Sequence, residues 1–95
     1  MPLFNLGQLL ITPAAQEAIS QGNNTTQQFL RRHARGDWGT LSREDEQANE
    51  DALKSGARLL SVYFTAKQVK LWVITEAADD EGRRAATTIL LPEEY

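Results

Sequence analysis

The chain has 95 residues, no cysteine and a net charge of −3. That length suits a single domain over residues 1–95, one able to bury roughly 60–65% of the surface of its unfolded chain. The composition excludes disulfide staples, thiolate nucleophiles and cysteine-based metal sites, and its mild acidity argues against a strongly basic nucleic-acid binder.

The absence of cysteine fits a reducing compartment, so a cytoplasmic setting is expected. No apolar run approaches the ~20 residues of a membrane span. The opening Met1, Pro2, Leu3, Phe4 and Asn5 lack a basic region followed by a long apolar run, so no secretory signal is expected.

Residues 6–11 read as a short strand bounded by Thr12 and Pro13. The Thr12 hydroxyl suits a helix cap, and proline suits the first helical position because its missing N–H is an orphan there anyway. Ala14, Ala15, Ala18 and Ile19 fall on one face of the first helix, and Gly22 is its expected stop. A second helix starts at Thr25, which stands three residues before Gln28 at capping-box spacing. Phe29, Leu30 and Ala34 form its apolar stripe, with His33 on the same side, and Gly36 ends it. Ser42, followed by Glu44, Asp45 and Glu46, opens a third helix: the hydroxyl caps it and the carboxylates favour its positive end. Lys54 suits the other end, Gly56 the stop, and Ala48, Ala52 and Leu53 the inward edge.

From residue 59 the pattern turns to β-formers. Strands are expected at 59–64, 69–75 and 86–91, joined by a loop at 65–68 and a polar turn at 79–82. The stretch 71–74 is apolar on both faces, which suits a central strand. The fold class expected is therefore α+β, in the order β-α-α-α-β-β-β, with an antiparallel sheet carrying its helices on one face. The first strand belongs at an edge or beside the last strand. That two-sided apolar strand also leaves room for a homo-oligomer.

The chemistry concentrates between the second and third helices. Arg31, Arg32 and Arg35 place three positive charges within five residues, while residues 42–56 carry a net −3. Guanidinium forks match phosphates and carboxylates, so the arginines are candidate contacts for a protein partner or an anionic ligand; the alternative is a solvated face. His33 is the only histidine. It suits a general acid or base, but on an apolar helix face a hydrogen-bonded structural imidazole is the stronger reading. Asp37 and Trp38 between Gly36 and Gly39 look architectural: Asp37 bonding backbone amides, Trp38 pinning the loop or, if exposed, anchoring a partner. Asp45 and Asn49 share a face with Ala52 and Leu53, and are expected to brace the 36–39 loop or to form a cleft with His33. Tyr63 and Trp72 read as packing residues. Thr75 and Glu76, at the end of the central strand, suit a pocket wall, and Glu76 with Asp37 makes a weak carboxylate pair. Phosphate-binding glycine loops, nucleophile elbows and zinc signatures do not occur, so neither metal nor cofactor is expected and the binding set is Arg31, Arg32, His33, Arg35, Asp37 and Trp38.

A resemblance runs through several of these pieces: Arg32-His33 with Gly36-Asp37-Trp38-Gly39; Asp45 and Asn49 with Ala52-Leu53; residues 72–77; and the terminal 87–95. Together they resemble a family of small uncharacterised bacterial proteins, hypothetical or plasmid-related. The resemblance implies a bacterial, mobile-element setting and supplies no catalytic residues. Residues 78–83 make a longer turn than that family's usual one.

The leading expectation is a non-enzymatic interaction module. An alternative is a small ribonuclease toxin or other phosphate-directed enzyme, on a loose fold-level likeness to RelE-type toxins, which are usually basic where this chain is acidic. A further alternative is an anti-defence or regulatory protein whose acidic third helix mimics nucleic acid. No membrane partner is expected, and nucleic acid has only weak support.

Overall fold

The computed structural model describes residues 2–95. Its elements follow the expected order: β1 (Gln8–Ile11), α1 (Pro13–Gln21), α2 (Thr26–Ala34), α3 (Arg43–Ser55), β2 (Leu59–Phe64), β3 (Lys70–Thr75) and β4 (Ala86–Leu90), then a 3₁₀ turn at Pro92–Glu94.

The helix starts obey local chemistry. Thr12 accepts from the Ala15 amide ahead of Pro13. Thr25 and Gln28 close a reciprocal capping box. Ser42 accepts from the Asp45 amide, and three acidic residues follow in the first turn of α3. The ends are less uniform. Gly56 takes the left-handed conformation after α3 at φ 84°. After α1 that conformation falls one residue later than expected: Gly22 stays at φ −85° and Asn23 turns left-handed at φ 58°. Space around Gly22 is tight: a Cβ there would meet Asn24 Oδ1 at 2.9 Å and Thr65 Cβ at 3.2 Å.

The four strands pair in the order β1-β4-β3-β2. The sheet is mixed, which corrects the antiparallel expectation: β1 runs parallel to β4 while β2–β3 and β3–β4 are antiparallel. The reason is topological. The three helices form one long crossover that returns the chain to the end where β1 began, so β2 runs with β1. Two reversals in the meander then bring β4 alongside β1 in the same sense. β1 is thus both an edge strand and the neighbour of the last strand.

The register places Leu9, Ile11, Leu59, Ser61, Tyr63, Leu71, Val73, Thr75, Thr87 and Ile89 on one face. All three helices cover that face. Ala15, Ile19, Phe29 and Leu30 pack on Tyr63, Leu71, Val73 and Ile89, and a second cluster joins Trp38, Ala52 and Leu59. Ala14 and Ala48, expected to point inward, are exposed. On the opposite face Ile74 and Leu90 are buried, Trp72 packs edge-on against Tyr95, and Leu10 and Phe64 are exposed.

The two sheet edges are treated differently. On β2, Asn49 of α3 acts as a short piece of strand: its Oδ1 accepts from the Leu60 amide (3.1 Å) and its Nδ2 donates to the Leu60 carbonyl (2.7 Å). Next along, the Val62 amide donates to the Trp38 carbonyl and the Val62 carbonyl accepts from the Thr40 amide. Asn49 therefore seals the edge and does not brace the 36–39 loop as expected. Asp45 is exposed, because α3 meets the sheet through Asn49, Ala52 and Leu53 and its first turn stays in solvent. Asn49→Asp should destabilise the fold by about 2 kcal/mol, since one carboxylate oxygen would face the Leu60 carbonyl with no proton between them. Urea denaturation at neutral pH checks it, and an unchanged midpoint would refute the edge-sealing role.

Candidate functional site

Helical geometry sorts the residues of α2 into three directions. His33 points to the sheet and is buried. Arg32 points toward the following loop. Arg31 and Arg35, one turn apart, face solvent.

The inward group is a closed hydrogen-bond chain. His33 is fully buried, with Nδ1 2.5 Å from Ser61 Oγ and Nε2 2.9 Å from Thr75 Oγ1. Thr75 Oγ1 lies 2.7 Å from Thr87 Oγ1, and Thr87 donates to the Leu6 carbonyl at 2.7 Å. Proton counting fixes the direction. Thr87 spends its one proton on Leu6, so it accepts from Thr75; Thr75 then accepts from His33 Nε2–H, which leaves Nδ1 to accept from Ser61. The imidazole is neutral and every atom is satisfied. Burial, reinforced by the positive charge of Arg84, pushes its pKa down to about 4. Phe4 and Trp38 meet the ring edge-on, at centroid distances of 5.2 and 5.7 Å.

The loop carrying Asp37 and Trp38 is fastened on several sides. Arg32 Nε and Nη2 grip the two Asp37 oxygens at 2.8 and 3.3 Å. This hydrogen bonding holds the Asp37 carboxyl below its ordinary range. Asp37 Oδ1 also accepts from the Gly39 amide, the backbone contact expected of it. Tyr63 donates its hydroxyl proton to the Asp37 carbonyl, and the Arg32 guanidinium lies 4.5 Å from the Tyr63 ring centre. Trp38 is only 4% exposed and donates Nε1–H to Glu50 at 3.0 Å. Thr75, expected at a pocket wall, belongs to the buried chain. Glu76 is exposed, and among the described residues no hydrogen bond or ion pair joins it to Asp37.

Arg31 and Arg35 border an apolar groove of about 610 Å³, lined by Pro2, Leu6, Leu9, Leu30 and Ala34. Neither arginine forms a salt bridge among the described residues, whereas Arg32 and Arg83 do. The structure therefore splits the expected binding set. Arg31 and Arg35 are free at the surface, Arg32 and Asp37 are half spent on each other, and His33 and Trp38 lie beneath.

Two structural residues had no signal in the sequence. Glu50 is one of five carboxylates on an acidic helix, and only the fold brings it under the Trp38 indole. Arg84 follows the polar turn with no motif around it, yet it is 8% exposed and donates to the carbonyls of Ala57 (2.8 Å), Glu76 (3.0 Å) and Ala52 (3.2 Å). Among the described residues no carboxylate forms a salt bridge with it. Its charge is balanced by peptide dipoles, including that of the α3 C-terminus.

No protein-family model, curated protein or solved structure matches the chain. The site is therefore read from its own chemistry. Among the described residues no cluster of three or more histidine or acidic side chains could hold a metal ion. No helix of the described residues is long and apolar enough to cross a membrane. The arrangement offers two exposed guanidinium groups beside a wide apolar trough, on a helix anchored by a buried polar chain beneath.

Proposed function

We propose that the protein is a non-enzymatic binding module of the bacterial cytoplasm, tied to mobile elements, whose contact surface is the Arg31 and Arg35 flank of α2 with the adjoining groove. The observation that carries this reading is the pairing of two exposed arginines, neither in a salt bridge among the described residues, with an apolar trough. Such a combination suits a partner presenting carboxylates around apolar side chains. A ribonuclease that uses an imidazole as its general base needs the ring within reach of a phosphate. Here the imidazole is buried and both its nitrogens are engaged, which supports the binding reading over a histidine-dependent enzyme.

Arg31→Glu with Arg35→Glu should abolish partner capture without unfolding the chain, because both side chains are exposed. Quantitative enrichment from a bacterial lysate, with Lys67→Glu as the surface-charge control, checks it. Partners held by the wild type and by Lys67→Glu should fall by about tenfold or more with the double reversal. An unchanged capture profile would sink the reading.

A further inference from the structure

We propose that β1 is a receptor strand: an extended peptide segment adds to its free edge, antiparallel or parallel, and sets a carboxylate on Arg31 and Arg35. This rests on the arginine flank being the contact surface and specifies what it holds.

The argument begins with where the β1 backbone points. Gln8 donates its amide to the Ala85 carbonyl and Thr12 donates to the Ile89 carbonyl. By strand alternation Gln8, Leu10 and Thr12 face β4, so the amides and carbonyls of Leu9 and Ile11 face outward. They are a ready-made template for another strand. The opposite edge of the same sheet shows what protection looks like in this molecule, with the Asn49 amide closing Leu60 and the loop backbone closing Val62. Among the described residues β1 has neither device. It carries no proline, lysine or bulge, and its Leu9 and Leu10 side chains are 53% and 43% exposed.

The groove lies where the side chains of an added strand would go. Leu9 projects to the helical face of the sheet and forms part of the groove wall with Leu6 and Leu30. A strand laid against β1 would direct alternate side chains into that trough, and the others to the open face beside Leu10. Main-chain bonds supply affinity in this mode and alternate pockets supply selectivity. The groove's charged lining residues are Arg31 and Arg35, so the complementary strand is an acidic one. A second copy fits poorly. Pairing β1 with its own symmetry mate would set two α2 flanks face to face and oppose four arginines.

The test uses the full chain and short random peptides displayed in two forms, with a free and with an amidated C-terminus. The selected binder is then the probe. Binders should carry Asp or Glu among alternating apolar residues, or depend on the free terminus, which tells a side-chain from a terminal carboxylate. On binding, amide exchange at Leu9 and Ile11 should slow by about tenfold or more. Leu9→Pro removes an outward N–H without breaking the β1–β4 ladder, so it should weaken the probe by about tenfold while Leu9→Ala, which keeps the N–H, weakens it far less. Three results overturn the proposal: probes that need Arg31 and Arg35 but leave Leu9 and Ile11 exchange unchanged, binders indifferent to loss of every carboxylate, or a homodimer dispersed by Leu9→Pro. The first leaves the arginine-face reading standing, whereas probes indifferent to reversal of both arginines remove the two together.

Discussion

Acidification from pH 7 to about pH 4.5 should cost the wild-type protein about 2.5 kcal/mol of stability through one side chain, and His33→Leu should erase that slope. The unfolded imidazole takes a proton near 6.5, and the folded one only near 4. The folded value is the lower, so the contribution is complete above the unfolded pKa and drains as pH falls through the gap. Two observations give the shift a physical basis. His33 is fully buried, and charging it would turn Nδ1 from the acceptor of the Ser61 proton into a competing donor. Asp37 and Asp79, both held below the usual carboxylate range, titrate at the acid end and leave the window between to His33. At neutral pH His33→Leu should itself cost about 2–4 kcal/mol, because a leucine fills similar space but leaves the Ser61 hydroxyl unpaired in the core. Adding Ser61→Ala should recover about 1 kcal/mol of it. Urea titrations at several pH values read all three effects, and a wild-type profile flat between pH 7 and pH 5 would refute the neutral, enclosed imidazole.

The same residue shows how much of the molecule is legible in the chain alone. Everything that local chemistry dictates can be read there: Thr12, Thr25 and Ser42 as caps, Gly56 as a stop, the apolar stripe of Phe29 and Leu30, and the two-sided strand at Leu71 to Ile74. A histidine between Arg32 and Ala34, on the stripe side, is legible as a structural imidazole. Its partners are not, because Ser61 and Thr75 lie 28 and 42 residues away and only strand register brings them together. Long-range geometry also decides what misleads. Asn49 reads as an inward polar group in need of a partner, which is correct, but the partner is the β2 edge and not the loop. Arg84 goes unmarked in the chain because nothing nearby announces that three carbonyls from separate segments converge on it. The parallel β1–β4 pair follows from helix count and crossover direction, which no single segment records. At the candidate site, the charge cluster is visible while its division is not. Whether an arginine is free or spent depends on a carboxylate that the chain delivers five residues later at Asp37.

Gly39→Ala should be a severely damaging single-methyl change, costing about 3–5 kcal/mol. Gly39 sits at φ +75°, where an L side chain costs about 1 kcal/mol by itself. Crowding costs more than the backbone angle: an added Cβ would stand 2.0 Å from the Val62 carbonyl oxygen and 2.7 Å from Tyr63 Cδ1. That oxygen is backbone and cannot swing aside, and it already accepts from the Thr40 amide at 2.8 Å. The loop would have to lift from β2, breaking the Thr40–Val62 and Val62–Trp38 bonds and drawing the Trp38 indole from under Phe4 and away from Glu50. Gly82→Ala separates crowding from backbone strain, since Gly82 has a similar φ of +79° but nothing within 4 Å of its would-be Cβ. It should cost about 1 kcal/mol, the backbone share alone. In Gly39→Ala, but not in Gly82→Ala, amide exchange at Thr40 and Val62 should accelerate along with the fall in urea midpoint. Equal losses in the two variants would mean that the loop does not press on the strand, leaving Asn49 alone to seal the β2 edge.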